Sequence, residues 1–426
     1  MTDSAQYDPA RTGAGIILVL NCGSSSVKFA LFEVTGAQVP RQPLWSGKIE
    51  ALGSPASTYR DTDTDARALE LDDAHPYRSA LVYIHQRVRE RLGGSSLAAV
   101  SHRVVHGGGT YVAPMRVDAA VLAKLRVFIP LAPLHQPFAL DAIATLLESV
   151  PKVPQIACFD TAFHHTLPKV EQLLPLPYSA WERGLRRFGF HGLSYEYMAR
   201  VLPERHGERA HGRVIVAHLG SGASLCAMAG GRSVATSMGF SALDGLMMGT
   251  RCGAIDPGVL LYLIEHENMT VAQLGHMLYR ESGLAGISGL SSELPILLAN
   301  ESRGDDVGAR VSEALALYIR RIVREIGALV AVLGGLDLLV FTAGVGEHSA
   351  PIRERVCGAL GFLGIDLDDA ANLACAPLIS APASRVTVAV EPTNEEWIAA
   401  LQAGALLLNS FSNTNTNPSK GNRSCP

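Results

Sequence analysis

The chain has no Cys-x-x-Cys pair, no excess of basic residues and no unbroken apolar run of membrane-spanning length. Its 36 Lys and Arg stand against 40 Asp and Glu, and a net charge of −4 excludes a broad nucleic-acid surface, which needs a cationic excess. The seven cysteines (Cys22, Cys158, Cys226, Cys252, Cys357, Cys375, Cys425) are scattered. An odd, unpatterned count in a chain of this size points to reduced thiols and a cytoplasmic setting. Residues Met1–Gly13 are polar, so no secretory signal is expected there. The stretch Ile326–Val345 is broken by Gly334-Gly335 and Asp337. It reads as a helix end followed by a buried strand, and no membrane partner is expected.

What the chain does have is a pair of similar glycine-bearing turns. One is Val19-Leu20-Asn21-Cys22-Gly23-Ser24-Ser25-Ser26-Val27-Lys28-Phe29, the other Val216-Ala217-His218-Leu219-Gly220-Ser221-Gly222-Ala223-Ser224-Leu225. Each joins two apolar runs through one polar residue and a short Gly/Ser turn. Such a β-hairpin turn gathers backbone N–H groups and hydroxyls in a space suited to phosphate oxygens. It is not a Walker P-loop, because Gly-x-x-x-x-Gly-Lys-Ser/Thr is missing and a strand follows. The repetition predicts two domains closing on one nucleotide.

At 426 residues, two buried cores are affordable. Strands are expected at Ile16–Leu20, Val27–Phe32, Gln155–Phe159, Arg213–Ala217, Ser224–Met228, Leu336–Phe341 and Val386–Val390. Helices are expected at Ala80–Leu92, Ala139–Leu147, Val307–Leu333 and Ile398–Leu408. This alternation predicts an α/β fold. The expected division is 14–160 plus a returning helix within 397–410, then 161–396, with disordered tails at 1–13 and 411–426.

Several residues carry possible chemistry, each with a structural alternative. Lys28 reaches a phosphate or is a solvated strand lysine. Arg103 enters the Gly107-Gly108-Gly109 turn and Arg251 lies in Gly249-Thr250-Arg251-Cys252-Gly253. Either one aims its planar fork at an oxyanion or is a surface loop residue. Asp160 ends an apolar strand, as a catalytic or metal-binding carboxylate or a helix N-cap. Glu395 and Glu396 begin a helix as first-turn acids or supply a Mg²⁺ ligand. His191, between Phe190 and Gly192, reads by default as a buried, hydrogen-bonded histidine. Adjacent His164 and His165 point apart and are assigned no metal.

Taken together, these segments resemble the acetokinase family of the acetate and sugar kinase, heat-shock chaperone and actin superfamily. The resemblance runs from about Ile16 to Leu406. It rests on Asn21-x-Gly-Ser-Ser-Ser-x-Lys28, His102-Arg-Val-Val-His-Gly-Gly108, Leu131-Ala-Pro-Leu-His135, Phe159-Asp-Thr-Ala-Phe-His164 and Phe188-Gly-Phe-His-Gly192. It continues through Thr236-Ser-Met-Gly-Phe240, Gly245-Leu-Met-Met-Gly-Thr-Arg251, Phe341-Thr-Ala-Gly-Val-Gly-Glu347 and Pro392-Thr-Asn-Glu-Glu396.

The resemblance implies two duplicated ribonuclease H-like (actin-like ATPase) domains with an interdomain cleft. It also implies reversible in-line transfer of the ATP γ-phosphoryl group to acetate, giving acetyl phosphate and ADP. On that basis Arg103 meets the substrate carboxylate, while Arg251 and His191 stabilise the transferring group. Asp160 is the essential carboxylate and His135 lies near the phosphoryl path. Asn21 and Glu395 hold Mg²⁺ (or Mn²⁺), and Lys28 meets nucleotide phosphate. Val105, Leu134 and Phe190 line the acyl pocket. The nucleotide lies along His218, Leu219, Gly220, Ser221 and Gly222, then Glu293, Leu294 and Pro295, then Gly344, Val345, Gly346, Glu347 and His348. A homodimer is implied by the resemblance alone, since no apolar stripe in the sequence calls for one. Alternatives are a propionate or other short-chain acyl kinase on the same scaffold, and an actin- or chaperone-like nucleotide switch.

The chain departs from the family pattern mostly on the nucleotide side, at Ser221, Ala254, Glu293-Leu294-Pro295 and His348. Gln136, Leu193, Tyr195 and Ala242 also differ. The expectation is loosened nucleotide preference and, from Ala242, acceptance of propionate, because one methylene in an apolar pocket shifts binding by only ~1–3 kcal/mol.

Overall fold

A computed structural model describes residues 14–414 except 37, 55 and 134. Contacts divide these into two compact units: one holds the residues up to Phe159 together with those from Asn394, the other holds Asp160–Thr393.

The first unit is built on an eight-stranded sheet. Its strands are β1 (Ala14–Cys22), β2 (Ser26–Thr35), β3 (Trp45–Glu50), β4 (Thr58–Asp61), β5 (Thr64–Ala68), β6 (Leu97–Val104), β7 (Met115–Val117) and β8 (Gln155–Phe159). Their order is β5-β4-β3-β2-β1-β6-β8-β7. β1 and β2 form the expected hairpin, closed by a Gly23 N–H donated to the Ser26 carbonyl at 2.8 Å and placing Asn21 opposite Lys28. Alternation along β1 and β2 sends Leu18, Leu20, Val27, Phe29 and Leu31 to one face. There they join Trp45, Ile49 and Tyr59 and the buried stripe Ala80, Leu81, Ile84 and Val88 of the helix Pro76–Leu92. The opposite face is covered by the C-terminal helix Glu395–Thr414, which packs on β1, β2 and β6. Ser101 Oγ donates to the Ala399 carbonyl at 2.9 Å, and Trp397 Nε1 to that of Val39 at 2.8 Å.

That helix extends beyond Ile398–Leu408 at both ends. Asn394 Oδ1 accepts the Trp397 N–H at 2.9 Å, a side-chain cap that starts the helix early. At the other end the helix continues into the segment expected to be tail, as far as Thr414. The rest of the expected tails, 1–13 and 415–426, lies outside the described residues.

The second unit carries β9 (Arg213–Leu219), β10 (Ala223–Ala229), β11 (Arg232–Thr236), β12 (Leu338–Thr342) and β13 (Thr387–Val390), in the order β11-β10-β9-β12-β13. This repeats β3-β2-β1-β6-β8 strand for strand. In each set the first two pairings are antiparallel and the last two parallel. The repeat inferred from two turns therefore extends to five strands of each sheet.

Ile326–Val345 resolves as the end of the helix Asp306–Leu333, a left-handed Gly334 and then β12. The helix buries Val311, Ala314, Leu315, Tyr318, Ile322, Ile326 and Leu329, the spacing of one helical face. Among the described residues no helix is long and apolar enough to cross a membrane. The nine-residue helix Pro257–Glu265 is unusually exposed for its length. It buries none of its residues and leaves Val259, Leu261, Tyr262 and Ile264 exposed, an apolar surface that the sequence reading did not identify.

Two buried histidines tie stability to pH. His102 meets Gln155 Oε1 at 2.8 Å between β6 and β8, and His164 meets Ser233 and the Phe190 carbonyl. Burial lowers both to about 4, so each is neutral in the folded chain. The unfolded chain binds these protons with a pKa near 6.5. Their contribution is therefore full above that pH and is lost as pH falls towards 4. Denaturant midpoints should drop steadily from pH 7 to pH 4.5, with net proton uptake on unfolding; a flat profile would contradict this.

Candidate active site

In the second unit, Gly220-Ser221-Gly222 turns between β9 and β10, and the Gly220 N–H donates to the Gly222 carbonyl at 3.1 Å. Two side chains reach this turn from distant segments. A Cβ on Gly222 would lie 3.3 Å from His191 Nε2 and 3.5 Å from both terminal nitrogens of Arg251. A side chain there would crowd the imidazole slightly and touch the guanidinium at ordinary contact distance.

Arg251 donates to the Ala242 carbonyl at 2.9 Å, and among the described residues it has no carboxylate within ion-pair distance. Burial depresses its guanidinium below the ordinary arginine value, nearby Arg280 adds to this, and Tyr279 opposes it. It remains a cation, because an arginine does not lose its proton in a protein.

His191 sits at the start of the helix Gly192–His206 with φ +58°, in the left-handed region. Its Nδ1 meets Ser224 Oγ at 2.7 Å, and Tyr195 OH meets the same oxygen at 2.5 Å. The ring stacks on His218 at 4.1 Å, and His218 Nδ1 is held by Ser194 Oγ at 2.9 Å. Tyr195, one of the departures from the family pattern, thus supports the serine that orients His191. Asp160 is not a helix N-cap; it is buried just beyond β8. Its carbonyl accepts the Gly192 N–H at 2.8 Å, which fixes the Asp160 backbone to that of His191. A side chain at Gly192 would stand 2.2 Å from that oxygen.

A cavity of about 590 Å³ adjoins the turn, lined by Gly220, Ser221, Glu293, Leu294, Pro295, Gly344, Val345 and His348. These are eight of the residues expected to meet nucleotide. Thr250, Ser292, Tyr318 and Ser349 also line it and were not foreseen, and it has no Lys or Arg in its wall. Leu219 and Gly346 are buried outside the lining, and Glu347 plays a supporting part. Glu347 Oε1 accepts the N–H groups of Ala343, at 2.8 Å, and Thr393, at 3.2 Å.

Arg353, also missed from sequence, is fully buried. It donates to the Gly346 and Glu347 carbonyls at 2.9 Å each and to Asn372 Oδ1 at 2.8 Å. A cation at these C-terminal carbonyls anchors the short helix Ala343–His348, which carries Gly344 and Gly346.

In the first unit, Arg103 Nη1 lies 2.6 Å from Glu395 Oε2, with side chains 17% and 12% exposed. The residue expected to meet substrate and the residue expected to hold metal are thus ion-paired. Beyond β6, Gln136 accepts the His106 N–H at 3.0 Å and donates to the His106 carbonyl at 2.9 Å. It anchors the backbone next to half-buried Val105, and His135 precedes the same helix, Gln136–Ser149. Asn21 is half-buried and Lys28 exposed. Phe190, in the second unit, is buried, and Leu134 lies outside the described residues.

Among the described residues no group of three or more His, Cys, Asp or Glu could hold a metal ion. The donors available, the Asn21 amide and the Glu395 carboxylate, suit Mg²⁺, which takes one or two protein oxygens and completes its shell with water and phosphate.

Replacing Arg353 with Met leaves buried carbonyls unpaired, each at roughly 1–3 kcal/mol. The variant should melt several degrees lower and bind nucleotide about tenfold more weakly; unchanged affinity in a folded variant would remove Arg353 from site support.

The acetokinase family profile matches residues 16–401. The chain is 48% identical over 397 residues to the acetate kinase of Rhodopseudomonas palustris, covering 90% of this chain and 96% of that one. It is 45% identical to the acetate kinase of Rhizobium meliloti, at 92% and 98% coverage. Among solved structures, the propionate kinase of Francisella tularensis aligns with a TM-score of 0.83 at 33% identity, covering 91% of this chain and 98% of that one. The acetate kinase of Porphyromonas gingivalis aligns at 0.80 and 37% identity, covering 92% and 100%. With the hairpin, the arginine and the cavity in place, the chain belongs to the acetokinase family.

Proposed function

We propose that this protein transfers the γ-phosphoryl group of ATP reversibly to acetate, forming acetyl phosphate and ADP. One observation carries the reading: Arg251, with no carboxylate in ion-pair distance among the described residues, lies with His191 against Gly222 beside a cavity lined by the expected nucleotide residues.

An acetate carboxylate is already ionised at neutral pH, so the reaction needs no strong base. It needs positioning and neutralisation of charge on the phosphoryl oxygens. Arg251 and His191 supply donors for those oxygens, and Ser224 fixes the imidazole. Asp160 is the essential carboxylate, and Lys28 meets nucleotide phosphate. Arg103 binds the acyl carboxylate with a planar fork that Glu395 now partly occupies. In the first unit, half-buried Val105 contributes to acyl binding. Asn21 and Glu395 would hold Mg²⁺, which supplies neutralisation of triphosphate charge when bound.

Six cysteines of the described residues are free, and burial pushes Cys22, Cys226 and Cys357 up to about 12. Such inert thiols fit a cytoplasmic enzyme. The exposed apolar helix Pro257–Glu265 supports a homodimer in which a second copy covers it.

With ATP, Mg²⁺ and hydroxylamine, acetate should yield hydroxamate. Propionate is run in parallel, since a propionate kinase shares the scaffold. ADP release that ignores acetate would instead favour a nucleotide switch. Arg251→Ala should lower kcat about a hundredfold or more; an unaltered kcat would refute its role. Leu261→Glu should convert the dimer to monomer in size-exclusion chromatography with light scattering, and an unchanged mass would move the interface elsewhere.

A further inference from the structure

The strand register of the first unit places cations in a row. Asn21 on β1 stands opposite Lys28 on β2, Lys28 opposite Lys48 on β3, and Lys48 opposite Arg60 on β4. Directly opposed residues share one face of a sheet, so the three cations stand side by side over about 10 Å. Like charges so placed repel and weaken the sheet unless something compensates them.

The acids nearby compensate only in part. Lys48 pairs with Glu50 on its own strand. Asp61 next to Arg60 turns to the other face, where it accepts the Tyr59 hydroxyl at 2.5 Å and approaches Arg87, its side chain only 1% exposed. Asp65 and Glu396 face the same space as the row. Among the described residues neither they nor any other carboxylate comes within ion-pair distance of Lys28 or Arg60.

The row borders a hollow open to solvent, with Lys28 and Arg60 exposed. It floors a cavity of about 770 Å³, walled by Pro43 and by Asn394 and Glu396 at the start of the C-terminal helix. Ser46, Thr62 and Thr64 add hydroxyls along its length.

We propose that this face is a binding site for a linear oligophosphate anion, whose evenly spaced charges match three cations at strand spacing. It extends away from the Asn21–Lys28 hairpin, and Lys48 and Arg60 take no part in the phosphoryl transfer proposed above. The anion displaces Glu50 from Lys48, a partly exposed ion pair of modest strength.

The test is calorimetric titration of the full chain with tripolyphosphate, without nucleotide or Mg²⁺, so that it does not depend on catalysis. The Lys48→Gln, Arg60→Gln double variant should bind at least tenfold more weakly, while its KM for ATP and kcat stay within twofold of the parent. Glu50→Gln, which frees Lys48, should bind severalfold more tightly, a gain that misfolding cannot produce. Affinity for tripolyphosphate should also fall steeply between low and physiological salt. Equal affinity in parent and double variant would overturn the proposal, as would parallel loss of tripolyphosphate and ATP binding or no tripolyphosphate binding by the parent.

Discussion

Among the described residues, the second unit sets a part-buried guanidinium with no carboxylate in ion-pair distance against the Gly222 backbone. Removing one partner from a buried ion pair is strongly destabilising, and an unmatched buried charge persists only where the fold or a ligand compensates it. Arg251 is compensated in part by the Ala242 carbonyl, and the rest of its fork points at Gly222. The surroundings follow from that demand. Gly222 has no Cβ, Ser224 and Tyr195 fix His191 on the same turn, and the cavity beyond contains no second cation to compete for an anion.

The two sheets share strand order and direction, yet their arginines are handled differently. Arg103 is neutralised by Glu395, the first residue of the C-terminal helix, whereas among the described residues Arg251 meets a carbonyl and no carboxylate. A neutralised arginine can exchange one carboxylate for another at modest cost. An unmatched one raises local affinity for anions of any geometry. Assigning Arg103 to the acyl carboxylate and Arg251 to the phosphoryl oxygens agrees with this difference.

Much of this was legible in the sequence because period and punctuation are local signals. Apolar alternation located β1, β2, β9 and β10 within a few residues, and Gly334-Gly335 marked the end of the long helix. The family resemblance pointed to eight residues of the cavity wall, five of them in glycine-bearing segments. The supporting residues were less visible. Arg353 looks like any helical arginine until the fold buries it under Gly346 and Glu347, and Tyr195 looked like a departure rather than the partner of Ser224. The lysine–lysine–arginine row was hidden because register between strands separated by loops is not encoded in any one segment. The helix Pro257–Glu265 was not identified from the sequence, because whether an apolar helix is covered is decided by packing between distant segments.

The left-handed backbone at His191 has a consequence for dissecting the chemistry. Few residues other than glycine accept that conformation readily, asparagine chief among them. An alanine at this position would strain the chain while deleting the ring, mixing two effects in one rate. Asparagine keeps the torsion and removes only the imidazole, so it is the exchange whose kinetics speak for the ring.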